Sequence, residues 1–120
     1  MAENKDYLVH QEEMGNIQIS EEVVASIAVN AAVEVDGVGG LMSANVSDIV
    51  TGGKKLTSKG IKVEMDGNDL MVSLYIIVRY GCAVGEVAKK VQQVVFSALE
   101  GMTGFKVSTV NVHVGGISFN

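Results

Sequence analysis

The stretch from Ile61 to Arg79 constrains the fold more than any other part of the chain. Ile61, Val63 and Met65 alternate with Lys62, Glu64 and Asp66. After the turn Asp66-Gly67-Asn68-Asp69, Leu70, Val72, Leu74, Ile76 and Val78 alternate with Met71, Ser73, Tyr75, Ile77 and Arg79. A period of two on both sides of an Asp-Gly turn predicts a β-hairpin whose long second arm offers one face to a core. Something apolar must be laid over that face, and two segments have the right spacing.

The first starts at Ser20, whose hydroxyl suits an N-cap, with Glu21 and Glu22 near the positive end of the helix dipole. A helix is predicted to about Val35, ending at Asp36-Gly37, where glycine can take the left-handed conformation and Val38 fold back onto Val33. Val23, Val24, Ile27, Ala28, Ala31, Ala32 and Val35 share one face, and Ala25, Val29 and Val33 widen it. A stripe that wide calls for two covers, a sheet on one side and a second helix or a neighbouring subunit on the other. The second segment, Val84 to Leu99, has a narrower face of Val84, Val87, Ala88, Val91, Val94, Val95, Ala98 and Leu99. Gly101 is predicted to stop it, with Met102 packing on Phe96.

The last strand, Phe105 to Val114, changes parity between Val107 and Val110, which predicts a bulge near Ser108-Thr109. Ile17 and Ile19 flank Gln18 in a short strand. Val38 to Ala44, broken by glycines, reads as a short strand or extended turn, Val46 to Val50 as a helical turn, and TGGKKLTSKG (51–60) as a small basic loop. The whole is an α+β fold, a mostly antiparallel sheet with two main helices packed on it. Residues 15–120 form one domain behind a flexible acidic tail, 1–14.

Composition narrows the function. With 120 residues, 48% hydrophobic and 19% charged, the chain has room for one globular domain and none of the marks of a disordered or collagen-like protein. The net charge of −5 disfavours non-specific attraction to nucleic acid or anionic lipid. The charge is also polarised: acids dominate up to Asp36 and bases slightly outnumber acids beyond it, an arrangement suited to head-to-tail association. A single cysteine, Cys82, allows no internal disulfide and fits a reducing compartment. No basic start and apolar core of a secretory signal precede the domain, and the apolar run Leu70 to Val78 is about half of the ~18 residues that span a bilayer. A cytoplasmic protein without direct membrane insertion is expected.

Motifs for chemistry are sparse. Cys82 and His113 make the one conceivable thiol–imidazole pair, but no motif enforces their approach. His10 and His113 with one cysteine complete no zinc spacing. Gly52-Gly53-Lys54-Lys55 lacks the first glycine and the Ser or Thr of a phosphate loop. Gly101-Met102-Thr103-Gly104 has the GxxG pattern but joins a helix to a strand rather than two helices. No catalytic residue, cofactor or metal is expected. Lys54, Lys55, Lys59 and Lys62 remain the carriers of an alternative function, a small module for nucleic acid or another anionic ligand.

Three longer segments carry a more specific signal. GNIQISEEVVASIAVNAAVEVDGVGGL (Gly15 to Leu41) resembles the opening of the alkaline-shock-protein family of Gram-positive bacteria. SKGIKVEMDGNDLMVSLYIIVRYG (Ser58 to Gly81) looks like its central hairpin. EVAKKVQQVVFSALEGMTGFKVSTVNVHVGGISF (Glu86 to Phe119) is similar to its signature end, above all MTG and VNVHV. Gly85 stands where relatives commonly have proline. The resemblance implies an abundant cytoplasmic protein of the envelope or alkaline stress response, without enzymatic activity or cofactor. It also implies self-assembly and attachment to the inner membrane surface through a membrane-anchored relative. An oligomerising adaptor is therefore the leading expectation. Its contact residues are sought at Val29 and Val33 on the first helix, at Met71, Tyr75 and Ile77 on the outer side of the long strand, and at Val112. The edge from Val110 to Val114 is free to pair between subunits, so Val112→Pro should break assembly or folding.

Overall fold

A computed structural model describes residues 7–42 and 60–119. The elements run β1 (Tyr7–Glu12), β2 (Gly15–Ser20), α1 (Glu21–Val33), β3 (Val38–Leu41), β4 (Ile61–Asp66), β5 (Asp69–Arg79), α2 (Val84–Thr103) and β6 (Lys106–Ser118). This is an α+β fold. The expected helical turn at Val46 to Val50 and the loop 51–60, apart from Gly60, lie outside the described residues.

β5 is the axis of a four-stranded sheet. β4 pairs antiparallel with its first half, from Asp66↔Asp69 to Ile61↔Leu74, and leaves only Gly67 and Asn68 as the loop between them. β3 follows on the same edge, antiparallel, from Leu41↔Ile76 to Val38↔Val78. β6 takes the other edge, parallel, from Asp69↔Lys106 to Arg79↔Ser118. Parallel neighbours need a long crossover, and α2 supplies it. The β5–β6 register slips between Val107 and Thr109, leaving Ser108 out at the predicted bulge, and again between Val114 and Gly116, leaving out Gly115.

The alternation in β5 has the expected consequence. Leu70, Val72, Leu74, Ile76 and Val78 are buried beneath the helices in one core cluster with Ile61, Val63 and Val107. α1 contributes Val24, Ala25, Ala28 and Ala32, and α2 contributes Val87, Val91, Val95 and Leu99. Burying that much valine and leucine, at about 25 cal/mol per Å² of apolar surface, is the main stabilisation the sheet receives.

The ends of both helices show how local chemistry sets their length. Ser20 caps α1 as expected, its hydroxyl accepting from the Val23 amide at 3.2 Å. Past the end of α1, Gly37 has φ +101°, and a β-carbon there would stand 2.7 Å from Val87 Cγ2. The α2 stop differs from the expectation. Gly101 stays helical, and the chain leaves the helix at Gly104, in the left-handed conformation, with its N–H donating to the Glu100 carbonyl. Thr103 makes this possible: its hydroxyl donates to the Leu99 carbonyl at 2.6 Å and accepts from the Phe105 amide at 3.0 Å. The longer helix also separates Met102 from Phe96, because residues six apart fall on different helix faces. Met102 lines a furrow with α1, and Phe96 lies beside Val110.

The largest departure is at the N-terminal end. Residues 7–14, expected within an aperiodic tail, form β1 and a turn, and β1 pairs with β2 from Tyr7↔Ser20 to Glu12↔Gly15. This two-stranded sheet is separate from the four-stranded one. Leu8 enters the main core, and the His10 ring stacks on Phe105 with centroids 5.0 Å apart. A lone hairpin is marginal in water, so these two anchors, with Ile19 of β2 packed against the core, are what hold it.

Candidate functional site

With both helices on one side, the residues of opposite parity in β5 define the other side of the sheet, on which no described helix lies. Met71, Tyr75 and Ile77 are half-buried there, screened by adjacent strands and absent from the core cluster. The register sets His113 of β6 opposite Tyr75, and the two rings stack with centroids 4.4 Å apart and planes 10° from parallel. Next to them, the Asn111 side-chain amide donates to the Ser73 hydroxyl at 3.4 Å. Met42, just past β3, donates its amide to the Tyr75 carbonyl at 2.9 Å. A β-carbon at Gly115 would collide with the Met42 sulfur, so that thioether reaches across β5 to the far strand.

β6 bounds this surface with an outer edge that has no strand partner among the described residues. Over its 13 residues the only charged or titratable side chains are Lys106 at its start and His113. Edge strands that avoid pairing with other chains usually carry charges or proline along their length. In β6, among the described residues, the backbone is engaged from α2 only near its start, where the Val107 amide donates to the Glu100 carboxylate at 3.0 Å and the Val110 carbonyl accepts from the Gln92 side chain at 2.9 Å.

The other expected contact residues divide. Val33 is 45% exposed, whereas Val29 is half-buried against the core. Val112 turns its side chain toward the helices, opposite Leu74, and packs on the core, so only its backbone belongs to the edge. Lys62 lies beside Glu64, with Nζ and Oε2 4.0 Å apart. Lys54, Lys55 and Lys59 lie outside the described residues. The structure thus brings Met71, Tyr75 and Ile77 onto one surface and places Val29, Val33 and Val112 elsewhere. His113, Asn111 and Met42 are the surface residues that sequence reasoning missed. Finding His113 would have required counting the Ser108 bulge before matching the parities of β5 and β6.

Cys82 and His113 do not meet. His113 stands opposite Tyr75, four residues before β5 ends, and Cys82 follows three residues after that end beside Gly37. At about 3.3 Å per strand residue the two are more than ~10 Å apart along the strand direction alone. Among the described residues no group of three or more His, Cys, Asp or Glu side chains is placed to hold a metal ion. Among the described residues no helix is long and apolar enough to cross a membrane.

These features define an α+β fold in which, among the described residues, no helix covers one face of the four-stranded sheet and no strand pairs with the outer edge of β6. The chain belongs to the alkaline shock protein 23 family, described as having a cell envelope-related function, and residues 9–119 match it. The match therefore takes in most of the N-terminal hairpin as well as the α+β core. The Bacillus subtilis (strain 168) protein YloU is 38% identical over 106 residues, covering 86% of this chain and 88% of YloU. YqhY of the same organism is 32% identical over 108 residues, covering 89% of this chain and 80% of YqhY. Among solved structures, the H264A variant of the MamM CTD shares the fold at a TM-score of 0.50 and 20% identity, covering 80% of this chain and 96% of that one.

Proposed function

We propose that this chain is a non-enzymatic adaptor of the cell-envelope or alkaline stress response, which self-associates and docks at the inner face of the membrane on a membrane-anchored relative. The observation that carries the reading is the side of the four-stranded sheet that no described helix covers. Met71, Tyr75, Ile77 and His113 form a pre-organised surface there, beside the outer edge of β6, which carries Lys106 only at its start. Pairing along that edge would give main-chain hydrogen bonds and continue the sheet into another molecule, with the side chains of the open face setting specificity. Val33 extends the contact area on the helix side. The family's cell envelope-related description supports the placement, and the lack of a membrane-crossing helix among the described residues is consistent with a borrowed anchor.

The test is light scattering at micromolar concentration together with affinity purification from membranes, on the wild type and on Tyr75→Lys/His113→Lys. The wild type should be multimeric and retain a membrane-anchored relative. The double variant should lose the multimer while keeping its circular dichroism. A wild type that stays monomeric and retains no relative overturns the reading.

A further inference from the structure

A second concave surface lies on the helical side, in the outer furrow between α1 and α2. Its floor is Val23, Ile27 and Ala31 from α1 and Val94, Ala98 and Met102 from α2, enclosing about 640 Å³. Val23 is 49% and Met102 72% exposed, so apolar surface is left facing outward. Glu22 and Glu34 stand on the rim near the two ends of α1, and among the described residues no lysine or arginine lines the furrow.

We propose that this furrow is a docking site for an amphipathic, basic helix of another polypeptide. Three features select that occupant. The walls are two packed helices, and the ridge-and-groove surface between them accepts a third helix. From Glu22 to Glu34 the furrow runs twelve residues along α1, or ~18 Å, the length of about three helical turns. A helix with apolar residues at i, i+3, i+4 and i+7 would fill the floor, and the small side chains of Ala31 and Ala98 permit close approach at its middle. The charge settles the sign. Acids at both ends, with no base among the described lining residues, favour cationic flanks on the guest and repel an acidic one. Two copies meeting furrow to furrow would set Glu22 and Glu34 against their counterparts, so the symmetric contact is disfavoured and the guest is taken to be a basic helix of a different polypeptide. The inference shares with the adaptor reading only the premise that the chain binds other polypeptides; it depends on neither the sheet face nor self-association.

The test is a fluorescence-anisotropy titration with a labelled synthetic helix of about 18 residues, leucine on one face and lysine on the other. The controls are its glutamate counterpart and a scrambled sequence. The protein is used as wild type, as Glu22→Lys/Glu34→Lys, and as Glu13→Lys/Asp66→Lys, which changes net charge equally away from the furrow. The lysine helix should bind the wild type saturably and more tightly than either control peptide. Its Kd should rise at least about tenfold in the furrow variant and stay unchanged in the charge-matched variant. The glutamate helix should bind the furrow variant more tightly than the wild type. Equal weakening in both variants would reduce the effect to bulk charge and overturn the proposal, as would the absence of saturable binding to the wild type. If the wild type is multimeric but the titration fails, the furrow proposal falls and the adaptor reading stands.

Discussion

Replacing Gly37 with alanine tests how the two helices are locked onto the sheet. The residue follows α1, precedes β3 and faces the first turn of α2, so it stands where three elements meet. Two costs add. At φ +101° an L side chain is strained by about 1–2 kcal/mol. The new β-carbon would also lie 2.7 Å from Val87 Cγ2, a buried β-branched side chain with one preferred helical rotamer and little room to move. Overpacking of this kind costs about 1–3 kcal/mol. A total near 3 kcal/mol, set against an unfolding entropy of about 0.25 kcal/mol/K for a chain of this length, lowers Tm by about 12 °C. A double-mutant cycle separates the two terms. Val87→Ala alone should cost about 1.5 kcal/mol from the lost burial of two methyl groups. In its background Gly37→Ala should show only the backbone strain, a coupling of about 1–3 kcal/mol. Urea denaturation of the four proteins measures it. Additivity within about 0.5 kcal/mol, or a single-variant cost below about 1 kcal/mol, would refute the reasoning.

Two further outcomes follow from the helix start and the hairpin anchor. Ser20→Ala should cost about 1 kcal/mol, because the Val23 amide loses its acceptor, and thermal melts should show Tm falling by about 4 °C; an unchanged Tm would mean the cap contributes nothing. Phe105→Ala should cost about 3–5 kcal/mol and remove the ring on which His10 stacks. Amide exchange should then accelerate in β1 and β2 beyond the rest of the protein, and uniform acceleration would show that the hairpin is not anchored there.

What could be read from the sequence was whatever depended on near neighbours. The Ile61 to Arg79 hairpin, its two-residue loop, the Ser20 cap and the Ser108 bulge each follow from periodicity or turn chemistry within about twenty residues. β1 did not, because its inward side chains are Leu8 and His10, and the ring that receives His10 is Phe105, near the other end of the chain. The end of α2 was misplaced for a local reason that competes with glycine preference. Thr103 bridges the Leu99 carbonyl and the Phe105 amide, which carries the helix past Gly101 to Gly104.

The candidate surface was half legible. Met71, Tyr75 and Ile77 share a parity that any strand would expose together. His113 joins them only through a parallel pairing whose register depends on the bulge. Val112 shows the converse. Its place in an edge strand was foreseen, but its side chain packs on the core, so substitutions there perturb folding together with any contact. The wide apolar stripe of α1 is shared among the sheet, α2 and the outside. Val24, Ala25, Ala28 and Ala32 are buried, while Val23 and Val33 remain 49% and 45% exposed.

The claim that contact with other polypeptides is this protein's work is tested most directly by its mass in solution as concentration rises. Multi-angle light scattering across the micromolar range should give a multimer for the wild type and a folded monomer for Tyr75→Lys/His113→Lys. A wild type with monomer mass at every concentration, or a double variant that assembles as before, would contradict the account.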